Sequence, residues 1–336
     1  SNNEFSNNEV YNTGASATVW PGEESIFSYN VVSNTGLAQS DGAVFQGTKN
    51  TVAKSVVHHN FVYDTEKYAF RYDAPGGNAE EAGSYGVMHH NIADNTMGLM
   101  IKGNNQIIAN NTVINTINNR NDIIILAEDC SNNNTWLYNN LAGRIGSHRS
   151  STQFALDDDA PMPIGTDGYI MFDSDNNGSK DSWRACVESD GNIFSGTGSG
   201  VSMDNIDQLT ASRTGISVES DVTSLLTYNS SNEKNVTNYV PSSNVLIDKG
   251  SDPTNQVYIS TTELKSLDEL VPQTDVGNLP DIGAIDQTNL WTPGIDWVPD
   301  ENFDIVNALT LANPTIVKDE IFVYPNPTKG IIKISS

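Results

Sequence analysis

The chain has 336 residues, with 17 Lys+Arg against 42 Asp+Glu and a formal net charge of -25. That balance argues against nucleic-acid partners and against insertion into or docking on an anionic membrane. A hydrophobic fraction of 37% supplies a core and rules out wholesale disorder. The longest apolar run, Ile123-Ile124-Ile125-Leu126, is strand-sized, far short of the roughly 20 residues that cross a bilayer. Cys130 and Cys186 are the two cysteines; they allow one disulfide, not a disulfide-built scaffold.

From the N-terminus a repeat is visible. An apolar residue is followed after two positions by Asn, then after three more by Asn or Asp, then Thr. The copies are Phe5…Asn8…Asn12-Thr13, Phe27…Asn30…Asn34-Thr35 and Val57…Asn60…Asp64-Thr65. They continue as Met88…Asn91…Asn95-Thr96 and Ile108…Asn111…Asn115-Thr116, with a decayed copy at Leu137…Asn140. Two residues after each key Asn stands Val10, Val32, Val62, Ala93, Val113 or Ala142. The key asparagines (8→30→60→91→111→140) are 22, 30, 31, 20 and 29 residues apart.

Short strand, Asn turn, short strand and second turn, repeated at this spacing, predict an all-β fold: a parallel β-helix with stacked coils. Asn tolerates left-handed turns and bonds backbone groups at bends. Equivalent asparagines are therefore expected to stack as a ladder, each amide bonding the next. An α/β solenoid would need helical apolar spacing, which is lacking. The chain begins inside this repeat, as expected for a trimmed piece of a longer secreted protein.

A further strand set lies upstream of the motifs: Ala43 to Gln46, Ala69 to Asp73, Leu99 to Lys102, and Ile123 to Ala127. With Phe45, Tyr72 and Ile101 inward, alternation sends Gln46, Asp73 and Lys102 outward in one column. Val44, Arg71 and Met100 form the next column. A one-residue slip would invert this register.

Four of the five histidines form two dyads, His58-His59 and His89-His90, at equivalent positions of adjacent coils. His59 and His90 stand where Asn110 and Asn139 stand later. One reading makes them stand-ins for Asn in a stacked turn; the other makes His58, His89 and His90 a titratable stripe lining a cleft. Neither dyad has a third ligand at zinc spacing. Arg71 and Lys102 are notable because cations are scarce, and binding an anionic polymer requires concentrated positive charge. An Asp73–Lys102 salt bridge is the plainer alternative. After Asp73 a long loop, Ala74 to Gly86, is placed to bring Glu80 or Glu81 over the sheet; Glu128-Asp129 follows the fifth strand. Carboxylates one or two coils apart, at about 4.8 Å per coil, match the separations glycoside hydrolysis needs. Asp73 with Glu81 or Glu128 is the preferred pair.

From about Gly143 to Gly191 the coils are interrupted by a loop or lobe, and strand signals resume at Ile193-Phe194. Asp173, Asp175, Asn177 and Asp181 carry the oxygen spacing of a structural calcium loop, with Gly178 beside them. Arg184 at position twelve excludes a standard EF-hand.

Val245 to Gly250 and Pro280 to Asp286 contain Ile-Asp-x-Gly-like and Asp-Ile-Gly-Ala motifs. They resemble the closing signatures of secreted pectate-lyase-like β-helix proteins. That resemblance covers residues 1–287 and, with the usual crossover hand, implies a right-handed helix. Residues 288–319 read as a linker or wrapping tail. Tyr324-Pro325-Asn326-Pro327…Gly330, followed by Ile331-Ile332-Lys333-Ile334, resembles the start of the β-sandwich sorting domain that Bacteroidetes use for type IX secretion. Residues 320–336 would be its first strands. The type IX machinery is thus an expected partner, and a secreted or surface location is implied.

The His-His-Asn coils, with Arg-Tyr-Asp and Ile-Lys-Gly strands, also resemble β-helix enzymes of marine Bacteroidetes. The resemblance implies an endo-acting glycoside hydrolase on a sulfated or acidic polysaccharide such as fucan. Asp73, Glu81, Glu128 and His89 are the catalytic candidates. Arg71, Lys102, His58, His90, Gln46 and Glu80 are the substrate-binding candidates. A polysaccharide lyase and a non-catalytic glycan-binding adhesin remain the alternatives, because fold does not specify activity.

Overall fold

The computed structural model describes residues 3–15, 17–38, 41–48, 52–73, 83–103, 105–118, 120, 122–125, 135–142, 145–146, 169–171, 184–190, 193–195, 217–219, 222–232, 234–250, 257–259, 264–266, 271–272, 279–287, 289–294, 322–325 and 332–335. The chain divides into two units, Ser1–Gly294 and Ile295–Ser336.

In the first unit the strands come in triplets. They are β1 (Glu4–Ser6), β2 (Glu9–Tyr11) and β3 (Ala17–Val19), then β4 (Ile26–Ser28), β5 (Val31–Ser33) and β6 (Ala43–Thr48). Next are β7 (Val56–His58), β8 (Phe61–Tyr63) and β9 (Tyr68–Asp73), then β10 (Val87–His89), β11 (Ile92–Asp94) and β12 (Leu99–Ile101). The series continues with β13 (Ile107–Ala109), β14 (Thr112–Ile114) and β15 (Ile123–Ile125), then β16 (Thr135–Tyr138), β17 (Leu141–Ala142) and β18 (Ile145–Gly146). First members pair in sheet A, second members in sheet B and third members in sheet C. All pairings between triplets are parallel.

β19 (Tyr169–Met171) and β20 (Arg184–Asp190) extend sheet A, and β21 (Ile193–Ser195) and β22 (Ser217–Glu219) extend sheet B. Inside the stretch read as an insertion, β18 pairs with β15 and β20 with β16. The sheets therefore reach into both ends of that stretch. β23 (Val257–Ile259) and β24 (Leu264–Ser266) form an antiparallel pair. In the second unit β25 (Phe322–Pro325) and β26 (Ile332–Ser335) form another. Among the described residues no helix is long and apolar enough to cross a membrane.

The apolar positions of the repeat align as predicted. Phe5, Phe27, Val57, Met88, Ile108 and Leu137 occupy one register column of sheet A. Val10, Val32, Val62, Ala93, Val113 and Ala142 occupy one column of sheet B. One buried cluster joins Phe27, Val57, Met88 and Ile108 to Val32, Val62 and Val113, and to Phe45, Phe70, Leu99 and Ile123 of sheet C. The three sheets thus share a core. No single triplet has the area to bury its inner face; stacking supplies it.

The turn from sheet A to sheet B has two residues. The first lies in the left-handed region: Asn7, Tyr29, His59, His90, Asn110 and Asn139 have φ between 49° and 56°. The second is the ladder asparagine. Asn8 Nδ2 donates to Asn30 Oδ1 at 2.9 Å, Asn30 to Asn60 at 2.9 Å, and Asn60 to Asn91 at 2.9 Å. Asn91 donates to Asn111 at 3.0 Å and Asn111 to Asn140 at 2.9 Å. From Asn30 onward each Nδ2 also donates to the carbonyl of the preceding triplet's apolar residue, such as Val57 O for Asn91. Each receiving Oδ1 also accepts a backbone N–H. Buried amides are thereby fully paired. The second turn holds Asn12, Asn34, Asp64, Asn95 and Asn115, again left-handed.

In sheet C the observed register differs from the expected one. Phe45 pairs with Phe70, and Gln46 with Arg71; Met100 also pairs with Arg71. Gln46 therefore shares the column of Arg71 and Met100, not that of Asp73. Val44 belongs to the core cluster and not to an outward column. The slip between β6 and β9 is two residues, which preserves the facing of Gln46.

Sheet B is apolar on its outer side as well. Phe61, Ile92, Ile114 and Leu141 pack against Leu225, Leu226, Val236, Tyr239, Leu246, Ile282 and Ile285. The later segments therefore cover this sheet. The two terminal motifs join there: Ile282 N–H donates to Leu246 O, Gly250 N–H to Pro280 O, and Asp248 N–H to Asp281 Oδ1. The chain then runs back along the A–B turns, with Gly283 N–H on Asn139 O and Gly294 N–H on Tyr29 O.

Candidate functional site

Three places bring chemistry-bearing side chains together. The first lies on sheet C. Lys102 Nζ is 2.9 Å from Asp73 Oδ1, and Arg71 Nη2 is 3.4 Å from Asp73 Oδ2. Arg71 Nη1 also bonds Asp41 Oδ1 at 2.6 Å. The side chains of Arg71, Asp73 and Lys102 are 4–8% exposed, whereas Asp41 is 79% exposed. The cluster thus reaches solvent at Asp41. The Arg71 guanidinium also lies 5.8 Å from the Tyr68 ring centre. Arg71 Nε and Gln46 Oε1 are buried and find no hydrogen-bond partner among the described residues. Such groups carry a cost of about 1–3 kcal/mol each.

The Asp73–Lys102 bridge follows from the register: both residues lie at the C-terminal ends of adjacent strands. Asp41 was not singled out by sequence, because it precedes β6 at a turn and 30 positions separate it from Arg71.

The second place is the histidine array. His58 stacks on His89 with ring centres 5.0 Å apart, and His59 on His90 at 5.0 Å. Within each dyad the Nδ1 atoms approach to 2.9 Å and 2.8 Å. One ring of each pair must then carry hydrogen on Nδ1 and the other a lone pair there. Tyr29 stacks on His59 at 4.8 Å, and Trp291 meets His59 edge-on at 5.3 Å. Burial pushes His58 down to about 4, His59 to about 2 and His90 to about 3, with their imidazole neighbours adding to the shift for His59 and His90. His89 falls well below the usual range for the same reasons. These are neutral stacked rings, with His59 and His90 standing in the turn column of Asn110. His59 and His90 hold the turn position of an Asn, and His89 and His90 are buried.

The third place, unmarked in the sequence, lies under the cover of sheet B. Asp94, fully buried, meets Lys234 Nζ at 3.0 Å and accepts from Tyr239 Oη at 2.7 Å and from Asn115 Nδ2 at 2.8 Å. Lys234 also meets Asp64 at 2.8 Å. Burial opposes the charge on Lys234, but the two carboxylates outweigh it and raise the lysine. The partners are up to 145 residues apart, so no local motif could announce them. The one signal was sheet B itself, apolar on both faces, which calls for a covering layer.

Glu80, Glu81 and Glu128 lie outside the described residues, as do Cys130 and the proposed calcium ligands Asp173, Asp175, Asn177 and Asp181. Among the described residues no group of three or more His, Cys, Asp or Glu is placed to hold a metal ion. Comparison with protein-family models, curated proteins and solved structures finds no match.

Proposed function

We propose that the chain is a right-handed parallel β-helix that degrades an acidic or sulfated polysaccharide outside the cell by glycoside hydrolysis. The cyclic order of three parallel sheets around one core supports the solenoid, and the crossover rule gives its hand. The carrying observation for function is that Arg71 bridges a buried carboxylate, Asp73, and an exposed one, Asp41.

Two carboxylates held on separate nitrogens of one guanidinium fork have oxygens no more than about 8 Å apart. That ceiling admits the roughly 5–5.5 Å of retaining glycosidases and the shorter part of the inverting range, which begins at roughly 6.5 Å. Asp73, which accepts from two cations, takes the role of base or nucleophile. Asp41, ionised beside Arg71 and open to solvent, is a second carboxylate able to orient water, and the proton to the leaving oxygen comes from Glu81 or Glu128. Arg71 and Lys102 supply positive charge for a sulfate or carboxylate in a chain of net charge -25. The proposal extends to export by the type IX machinery, read from the Tyr324 to Gly330 motif. It also extends to a structural calcium ion at Asp173 to Asp181.

The test is incubation with sulfated fucan, carrageenan, alginate and pectin, following reducing ends and absorbance near 235 nm. Reducing ends without absorbance are expected. Both together would replace hydrolysis by β-elimination, and binding with neither would make the protein an adhesin.

A further inference from the structure

We infer that the N-terminal end of the stacked coils is a docking edge for one further coil of the same repeat, supplied by chain ahead of Ser1. β1, β2 and β3 stand at the ends of sheets A, B and C, each with a partner strand on one side only among the described residues. Their inward residues Phe5, Val10 and Val19 are only partly buried. The residues they pair with, Phe27, Val32 and Phe45, are at most 2% exposed. Trp20, directly after β3, is 53% exposed. A stack that ended here would call for a polar capping face. This end presents open strand edges around the end of the apolar core instead.

The polarity of the asparagine ladder says what fits. Asn30, Asn60, Asn91, Asn111 and Asn140 each accept two bonds on Oδ1, one from the backbone N–H and one from the amide of the preceding ladder asparagine. Asn8 heads the ladder. Its Nδ2 donates to Ser6 O at 3.1 Å and to Asn30 Oδ1 at 2.9 Å, which uses both amide hydrogens. Its Oδ1 stays an open acceptor among the described residues. A second copy meeting this end head-on would set that acceptor and the exposed Glu4 and Glu9 against their equals, a like-charge clash. A coil with asparagine at its turn brings both missing donors.

The path of the chain fits a coil arriving in cis. Asn3 O accepts Ile26 N–H at 2.8 Å, as Ser25 O accepts Val56 N–H and Ser55 O accepts Val87 N–H, both at 2.9 Å. Asn3 thus holds the place in the turn from sheet C to sheet A that Ser25 and Ser55 hold. The backbone entering β1 already follows the route taken from one coil to the next.

Prefixing a copy of residues 84–103 to the full chain tests the edge. The prefix sets a second Asn91 20 residues ahead of Asn8, the spacing from Asn91 to Asn111. Hydrogen exchange of the amides of residues 5–11 is expected to slow by about tenfold or more, and the urea midpoint to rise. The same prefix carrying Asn91→Ala is expected to lose most of that protection. Sedimentation of the unextended chain is expected to show no dimer that the prefix dissociates. Exchange at residues 5–11 unaltered by the prefix, or equal protection with and without its asparagine, would overturn the docking edge. A concentration-dependent dimer abolished by the prefix would make a second copy the occupant and overturn the further coil.

Discussion

Asn60 and Asn91, 31 residues apart, are joined twice: the amide nitrogen and the backbone N–H of Asn60 both donate to Asn91 Oδ1, at 2.9 Å and 3.1 Å. Asn91 passes the pattern on, donating to Asn111 Oδ1 and to Val57 O. One side chain therefore closes four hydrogen bonds inside a dry turn. Asn91→Ala removes all four and strands the backbone N–H of Asn60, whose Nδ2 keeps Phe27 O and His58 O. The expected loss is about 3 kcal/mol or more, read as a lower urea midpoint at unchanged slope. A loss under about 1 kcal/mol would mean that the ladder is a marker of the turn and not its support.

The histidines set a pH dependence. They are neutral in the fold because burial holds their affinity for protons below the ordinary value near 6.5. The unfolded chain therefore binds more protons below that value. Stability contributed by the neutral rings is present above about pH 6.5 and falls as pH drops toward about 4 and below. The limiting slope is about 1.4 kcal/mol per pH unit for each histidine. Glu4 acts on His58 in the opposite sense. His59→Asn/His90→Asn, which restores the residue found at Asn110 and Asn139, is expected to flatten urea-midpoint curves between pH 7 and 4.5. An unchanged curve would show that carboxylates alone set the acid sensitivity.

Lys234 clamps the cover of sheet B to the buried Asp94. Lys234→Met leaves that carboxylate with Tyr239 and Asn115 but without a cation. An uncompensated buried charge costs about 3–5 kcal/mol. Urea unfolding should show that loss, and limited proteolysis should show earlier cleavage in residues 222–250. Stability within about 1 kcal/mol of wild type would mean that the apolar contacts of Leu225, Tyr239 and Leu246 hold the cover alone.

Legibility in the sequence followed how distinctively each position is marked. The columns of sheets A and B were readable because Asn60 and its equivalents fix the turn with a residue that few positions tolerate. Sheet C carries no such marker, so Phe45 was set against Tyr72 when it pairs with Phe70. The facing of Gln46 survived, since strand alternation has period two and the slip was two, whereas Val44 lies in the core beside Phe45. The Asp73–Lys102 bridge was therefore foreseeable, whereas Asp41 entered only through its contact with Arg71. How deeply His59 and His90 are buried is something a turn motif does not encode. Asp94–Lys234 depends on a return of the chain across 140 positions, which leaves no periodic trace.

The most direct test of the account is the rate of reducing-end release by Asp73→Asn on the polysaccharide that the wild-type chain cleaves. Asn keeps the shape of the side chain and removes its charge between Arg71 and Lys102. The account predicts a rate lower by about 10²–10⁴. Full activity in Asp73→Asn would contradict it and move the chemistry away from sheet C.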